Sequence, residues 1–380
     1  MHRTAAQCYS NVTQHSASQH VTLRCRRARL SPGLLSPFLT APCAMSFVPD
    51  AFSWQPSPPT SSPMTTVHED LLFCTEKGDI CLRLLESWPQ LLADTSVLGP
   101  VLLLSRTEQV VVASRVARTE FFSTGVGDFE DPAEMVELTS GFTVNLANLH
   151  FVVAADERLQ KDRMLALQFF DRHGEGLFKV ILADGAEHEW FTHFIQHYAR
   201  GGSPPRFDAQ PPLPAPGALA HDSAGLDWLR AGWRHQHPTV QGDYMAGWED
   251  MVRHEAMELI GAAYARPARY EALVQSLFLA SREQIPLRIS LFNQGLFHQI
   301  DMTPQRMERC GDSIHLMDRD SEAHILRAPG LGLWQKINRQ EHGVCLELYG
   351  SDRRRCCHIQ CVGEPLDVQR WSEIFLGGDV

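Results

Sequence analysis

The chain has 380 residues, 44% hydrophobic and 21% charged, with a formal net charge of −11. That length suits about two domains with their own cores, and the excess of acid argues against nucleic acid or an anionic membrane surface as the main partner. No run reaches the roughly 18 apolar residues of a bilayer-spanning helix, and ten cysteines without framework spacing fit a reducing compartment.

Residues 1–49 hold five arginines and no acidic residue, and lack the apolar core of a secretory signal. Gln55–Pro63 is low in complexity, so residues 1–68 are read as a disordered tail, with Met45 or Met64 as candidate starts. A first repeat is placed at 69–200. Leu82, Leu84, Leu85, Trp88, Leu91 and Leu92 predict a helix over 81–94, and strands are expected at 100–105, 109–117, 142–154, 164–171 and 176–183. Trp190, Phe194 and Ile195 mark a closing helix. Six prolines between Gly201 and Gly217 define a linker over 201–223.

A second repeat follows at 224–380, opening with helices at 225–234, 246–263 and 268–282. Strands are expected at 285–292, 295–301, 313–318, 324–328, 332–337, 343–349 and 355–362, then a helix over 366–376. The two repeats share more than element order. Leu167–Val180 answers Leu346–Ile359 at an offset of 179, both reading as strand, charged turn, strand. Trp190 answers Trp371 at 181, and Pro100–Val112 answers Pro286–His298 at 186, so the two tryptophans are expected to anchor the terminal helices. A period this long means duplicated domains and not a solenoid. The fold class is α+β: a tandem duplication of a mostly antiparallel β-sheet domain with flanking helices.

Motifs for chemistry are few. No His-Glu-x-x-His, Gly-x-Ser-x-Gly or phosphate loop occurs. The run Cys356-Cys-His358-Ile-Gln-Cys361 suggests a metal cluster, but strand alternation puts Cys356, His358 and Gln360 on one face and Cys357, Ile359 and Cys361 on the other. Neither face closes a four-ligand zinc site. Arg353-Arg354-Arg355 reads as a solvated hairpin turn.

Leu167-Gln-Phe-Phe-Asp-Arg-His-Gly with Lys179-Val180, preceded by Leu104-Ser-Arg106-Thr-Glu108, resembles the first half of the bacterial haemin-transport and haemin-degrading proteins (HemS/ChuS-like). The second half is similar at Phe292-Asn293-x-Gly295, Gln299-Ile300, Leu346-Glu-Leu-Tyr349, Trp371 and Trp233-Arg234…Arg253-x-x-Ala256…Gly261-x-x-Tyr264-Ala265. The resemblance covers about 70–376 and implies the HemS/ChuX-like fold. It also implies a cytoplasmic protein that holds haem in a cleft beside the second sheet, receives it from a haem-uptake transporter, and carries it or opens its ring for iron acquisition. Arg106 and Arg253 resemble the family's haem-contacting arginines, which suit planar propionates, and Tyr349 matches a tyrosine near the haem.

One departure bears on mechanism. The family's axial histidine lies in a Trp-Arg-x-Leu-x-Asp-Thr-His-x-Phe-Phe run; here Val240 takes its place, and Gly242 and Asp243 replace the phenylalanines. Imidazole is the usual ligand of haem iron, so the candidate metal ligands are His237 and His235. Tyr244 or Tyr349 as a phenolate is the alternative. Lys336 and Arg339 lie near a basic strand of the family. A second reading is a divergent duplicated module that has lost haem and binds another ligand or a protein.

Overall fold

The computed structural model describes residues 80–85, 87–123, 135–159, 162–183, 186, 188–199, 249–328, 330–338 and 343–376. The expected helix at 225–234, His235, His237, Val240, Tyr244 and Arg339 lie outside these residues.

Two antiparallel sheets of nine strands each dominate. In chain order the first half supplies β1 (Ile80–Arg83), β2 (Val101–Arg106), β3 (Val110–Val116), β4 (Phe122–Ser123), β5 (Met135–Thr139), β6 (Phe142–Asn145), β7 (Phe151–Leu159), β8 (Asp162–Phe170) and β9 (Gly176–Leu182). The second supplies β10 (Ala265–Pro267), β11 (Leu287–Asn293), β12 (Leu296–Met302), β13 (Arg306–Cys310), β14 (Ser313–Met317), β15 (Ser321–Leu326), β16 (Gly332–Asn338), β17 (Gly343–Tyr349) and β18 (Arg355–Cys361). Helices α1 (Trp88–Asp94) and α2 (His188–Tyr198) belong to the first half; α3 (Glu249–Ile260), α4 (Tyr270–Glu283) and α5 (Pro365–Leu376) belong to the second.

The sheet orders are β1-β7-β8-β9-β2-β3-β15-β14-β13 and β10-β16-β17-β18-β11-β12-β6-β5-β4. Each half therefore builds six strands of its own sheet and lends a three-stranded meander to the other. The duplication holds at the level of register. Adding 179 to Gln168↔Lys179 gives Glu347↔His358, and adding it to Leu167↔Val180 gives Leu346↔Ile359. A bulge falls between Phe169 and Phe170 in the first copy and between Leu348 and Tyr349 in the second, again 179 apart.

Alternation decides which face is core. On β17, Val344, Leu346 and Leu348 join Ile289 and Leu291 of β11 and Ile359 of β18 in one apolar cluster. That cluster also takes Leu273 and Leu277 of α4, Trp371 and Phe375 of α5, and Ile314, Leu316 and Ile325 from the lent meander. The first sheet builds the matching core with Phe191 and Phe194 of α2 and with Val136, Leu138, Phe142 and Val144 of the other meander. Between the halves stands His298 on β12, completely enclosed, sharing hydrogen bonds with Ser105 of β2 (2.7 Å to Nδ1) and Ser114 of β3 (2.9 Å to Nε2). Gly141, which turns β5 into β6, has φ +81°, and a Cβ there would lie 2.7 Å from the Gln299 carbonyl oxygen. Only glycine fits both conditions.

Several expectations change. The helix read over 81–94 begins at Trp88, because residues 80–83 pair with Val153–Asp156 as an edge strand. The single strand read over 142–154 is two, β6 and β7, separated by a 3₁₀ turn at Leu146–Asn148, since the chain there leaves one sheet for the other. The tryptophans are not equivalent. Trp371 is fully buried and donates from Nε1 to the Val344 carbonyl (2.7 Å), whereas Trp190 is 49% exposed and Phe191 takes the inward position.

Candidate functional site

The faces of the two sheets turned away from the cores differ sharply. In the first repeat Leu102, Leu104, Ala113, Met164, Ala166 and Ile181 of that face cluster together, beside the buried polar pair Gln168 and Lys179. The equivalent positions in the second repeat, at offsets of 186 for β2 and β3 and 179 for β8 and β9, include Arg288, Ser290, Gln299, Cys345 and Gln360. Positions that are apolar in the first copy are thus mostly polar in the second. Chemistry is therefore expected in the second copy.

Glu347 is the centre of that polar face. It lies mid-strand on β17 with no exposed surface, in the run Leu346-Glu347-Leu348. Arg253, on α3 and only 4% exposed, clamps it through two parallel bonds, Nε to Oε2 at 2.9 Å and Nη2 to Oε1 at 2.7 Å. The Tyr349 hydroxyl donates to Oε2 at 2.7 Å. Arg355 Nη1 stands 4.0 Å from Oε1, with its guanidinium 4.0 Å over the Phe292 ring. Burial alone would raise the Glu347 carboxyl; Arg253, then Arg355 and Lys336, outweigh it and hold Glu347 well below the ordinary range. The phenol of Tyr349 moves the other way, pushed far up by burial and then by Glu347. Its hydroxyl is a neutral donor, so it is poorly placed to act as a phenolate.

Alpha-helix α3 covers this face. Ala256, Met257 and Ile260 pack on Ala265, Trp334 and Tyr349, and the His254 ring meets Trp334 at 5.9 Å and Tyr349 at 5.2 Å. Burial lowers the His254 imidazole. His358, opposite Glu347 on β18, is 5% exposed, and burial pulls its imidazole down to about 3. It is neutral at physiological pH.

The sequence-read residues fall into two groups. Arg253 and Tyr349 come together, joined through Glu347. Arg106 stands apart at the end of β2, half-buried, near enough to Glu175 to offset some of the rise that burial imposes on that carboxyl. The two ends nonetheless adjoin: Ser351, just past Tyr349, donates to Glu108, just past Arg106, at 3.0 Å. Asn293 Nδ2 reaches the Arg106 carbonyl at 3.2 Å. Lys336 lies half-buried on β16 within the field of Glu347.

Glu347, Arg355, His358 and Cys345 were missed. A lone acid inside an apolar strand was the available signal for Glu347. Arg355 was hidden by the bulge: it pairs with Tyr349, leaving Cys356 in the core cluster, so the polar face reads Arg355, His358, Gln360 and not Cys356, His358, Gln360. Arg355 is thereby 2% exposed and no part of a solvated turn.

Residues 82–196 match the profile of the family described as haem utilisation ChuX/HutX. In fold, the chain is similar to PhuS, a heme-binding protein from Pseudomonas aeruginosa, with 19% identity and a TM-score of 0.66 over 80% of this chain and 89% of that one. It is similar also to ChuS, an E. coli heme oxygenase, with 15% identity and a TM-score of 0.65 over 83% and 92%. No curated protein sequence matches the chain.

Proposed function

We propose that this chain, a divergent HemS/ChuS-like member of the haem-utilisation proteins, binds haem against the outer face of its second repeat. The observation that carries the reading is the group of cationic side chains gathered on that face. On the outer face of the second copy Arg253, Arg355 and Lys336 face the carboxylate of Glu347. A surplus of cations beside aromatic side chains suits a flat ligand with acidic tails. The match of the first repeat to haem utilisation proteins, and the likeness to a haem-binding and a haem-degrading structure, support the same ligand.

Haem would supply the iron chemistry, for carriage or for ring opening; the protein binds, orients and shields it. Lys336, half-buried on β16, would face a propionate, with Arg106 approaching from the first half. His237 or His235 would take the iron in place of Val240. No described helix is long and apolar enough to cross a membrane.

Titrating haemin into the purified chain should give a saturable, shifted Soret band, and substituting His235 and His237 together should change the axial-ligand spectrum. An unchanged spectrum in that double variant would remove both histidines from the iron.

A second reading has its own support. Arg253 and Tyr349 are already engaged by Glu347, and the family's histidine is replaced by Val240. A module that has exchanged haem for another anionic ligand accounts for both. Free-haemin spectra throughout the titration would select it.

A further inference from the structure

The polar face also places three metal-binding atoms together. Cys345 Sγ, a Glu347 oxygen and an imidazole nitrogen of His358 all lie within 4.8 Å of one another, and all three residues are buried. Cys345 and Glu347 come from the same face of β17, and His358 sits opposite Glu347 on β18. The run Cys356-Cys357-His358 closes no metal site by itself, but the sheet supplies Cys345 from the neighbouring strand. His358 gives an independent pointer. Its Nδ1 is buried and has no hydrogen-bond partner among the described residues, and such orphaned atoms call for an explanation. A neutral imidazole nitrogen can offer a lone pair. Cys345 makes a weak contact from Sγ to the Lys336 carbonyl at 3.8 Å.

We propose that Cys345 and His358, with Glu347 beside them, form a site for one soft monovalent metal ion, copper(I). Charge makes the selection. Arg253, Arg355 and Lys336 already outnumber Glu347 in this cluster, so a divalent ion would add positive charge where it is in surplus. Copper(I) replaces the thiol proton one for one: the S–H bond of Cys345 breaks, an S–Cu bond forms, the proton leaves to solvent, and no oxidation state changes. Thiolate with imidazole suits copper(I). Two metal–ligand bonds of roughly 2.0–2.3 Å bridge the sulfur and nitrogen without bringing Glu347 out of its Arg253 clamp. The site rests on its own donor atoms and stands whether or not the chain binds haem.

The test is an anaerobic titration of the full chain, without haem, using copper(I) held by a chromophoric chelator. Wild type should withdraw one equivalent that Cys345→Ser and His358→Leu each bind about tenfold or more weakly, while Cys310→Ser, at an exposed thiol, keeps it. Zinc(II) should fail to displace that equivalent. X-ray absorption of wild type carrying one copper should show sulfur and nitrogen neighbours, a readout that needs no variant to fold. Sulfur neighbours alone, full copper retention in both Cys345→Ser and His358→Leu, or displacement by equimolar zinc would each overturn the site. A haemin titration of the same variants separates this result from the haem reading.

Discussion

Glu347→Gln isolates the charge that organises the second repeat. The substitution keeps the shape of the side chain but removes the anion that Arg253 holds at 2.7 and 2.9 Å and that the Tyr349 hydroxyl contacts at 2.7 Å. Arg253 is 4% exposed and Arg355 2% exposed, so neither guanidinium can recover full hydration in place. Leaving one member of a buried ion pair uncompensated costs about 3–5 kcal/mol, a large share of the 5–15 kcal/mol that holds a typical domain. Urea denaturation followed by far-ultraviolet circular dichroism should show that loss at neutral pH. The sign with pH is fixed by the direction of the shift. The Glu347 carboxyl in the folded chain titrates well below 4.5, so its stabilisation is complete above that value and fades as pH falls through the folded-state pKa. The deficit of Glu347→Gln against wild type should therefore shrink in acid. A loss under about 1 kcal/mol at neutral pH, or a deficit that grows in acid, would refute the charge assignment.

Other outcomes follow from the same geometry. His298 and His358 are each held at about 3 by burial, below the ordinary 6.5. Each contributes stability that is complete above about 6.5 and lost toward 3, at up to about 1.4 kcal/mol per pH unit. His298→Asn should flatten the acid limb of a stability-against-pH curve by one proton; an unchanged slope would mean that His298 is not the titrating group. Trp371→Ala should cost about 3–5 kcal/mol and Trp190→Ala under about 0.5 kcal/mol, and equal losses in thermal denaturation would restore the symmetry that the helices lack. Gly141→Ala places a methyl group at positive φ against the Gln299 carbonyl and should lower stability by more than about 1 kcal/mol; a neutral result would show that the β5–β6 turn can relax.

The duplication was legible because β-strand alternation and a shared turn leave matching marks at a fixed offset. Leu167–Val180 and Leu346–Ile359 keep their register pair by pair. The exchange of meanders was not legible. Nothing local in Phe142–Asn145 says that its partner is β12, 150 residues further on, because pairing across halves is decided by packing and not by propensity. Helix α1 was read too early because Leu82 and Leu85, 40% and 44% exposed, fit a helical stripe and an edge strand equally well. At the site, Arg253 and Tyr349 were found through the family pattern, but the group that joins them, Glu347, was not. A bulge cannot be seen from alternation, so Arg355 was assigned to solvent and Cys356 to the polar face. Both errors come from the same single extra residue in β18.

The most direct measurement is the haemin affinity of the wild-type chain beside Lys336→Ala, followed at the Soret band. Lys336 lies half-buried within the field of Glu347, so losing it should weaken binding without unfolding the chain. Wild type should saturate at one equivalent with a shifted band, and Lys336→Ala should need several-fold more haemin to reach it. A wild-type spectrum that stays that of free haemin, or equal affinities in the two proteins, would contradict a haem site on the second repeat.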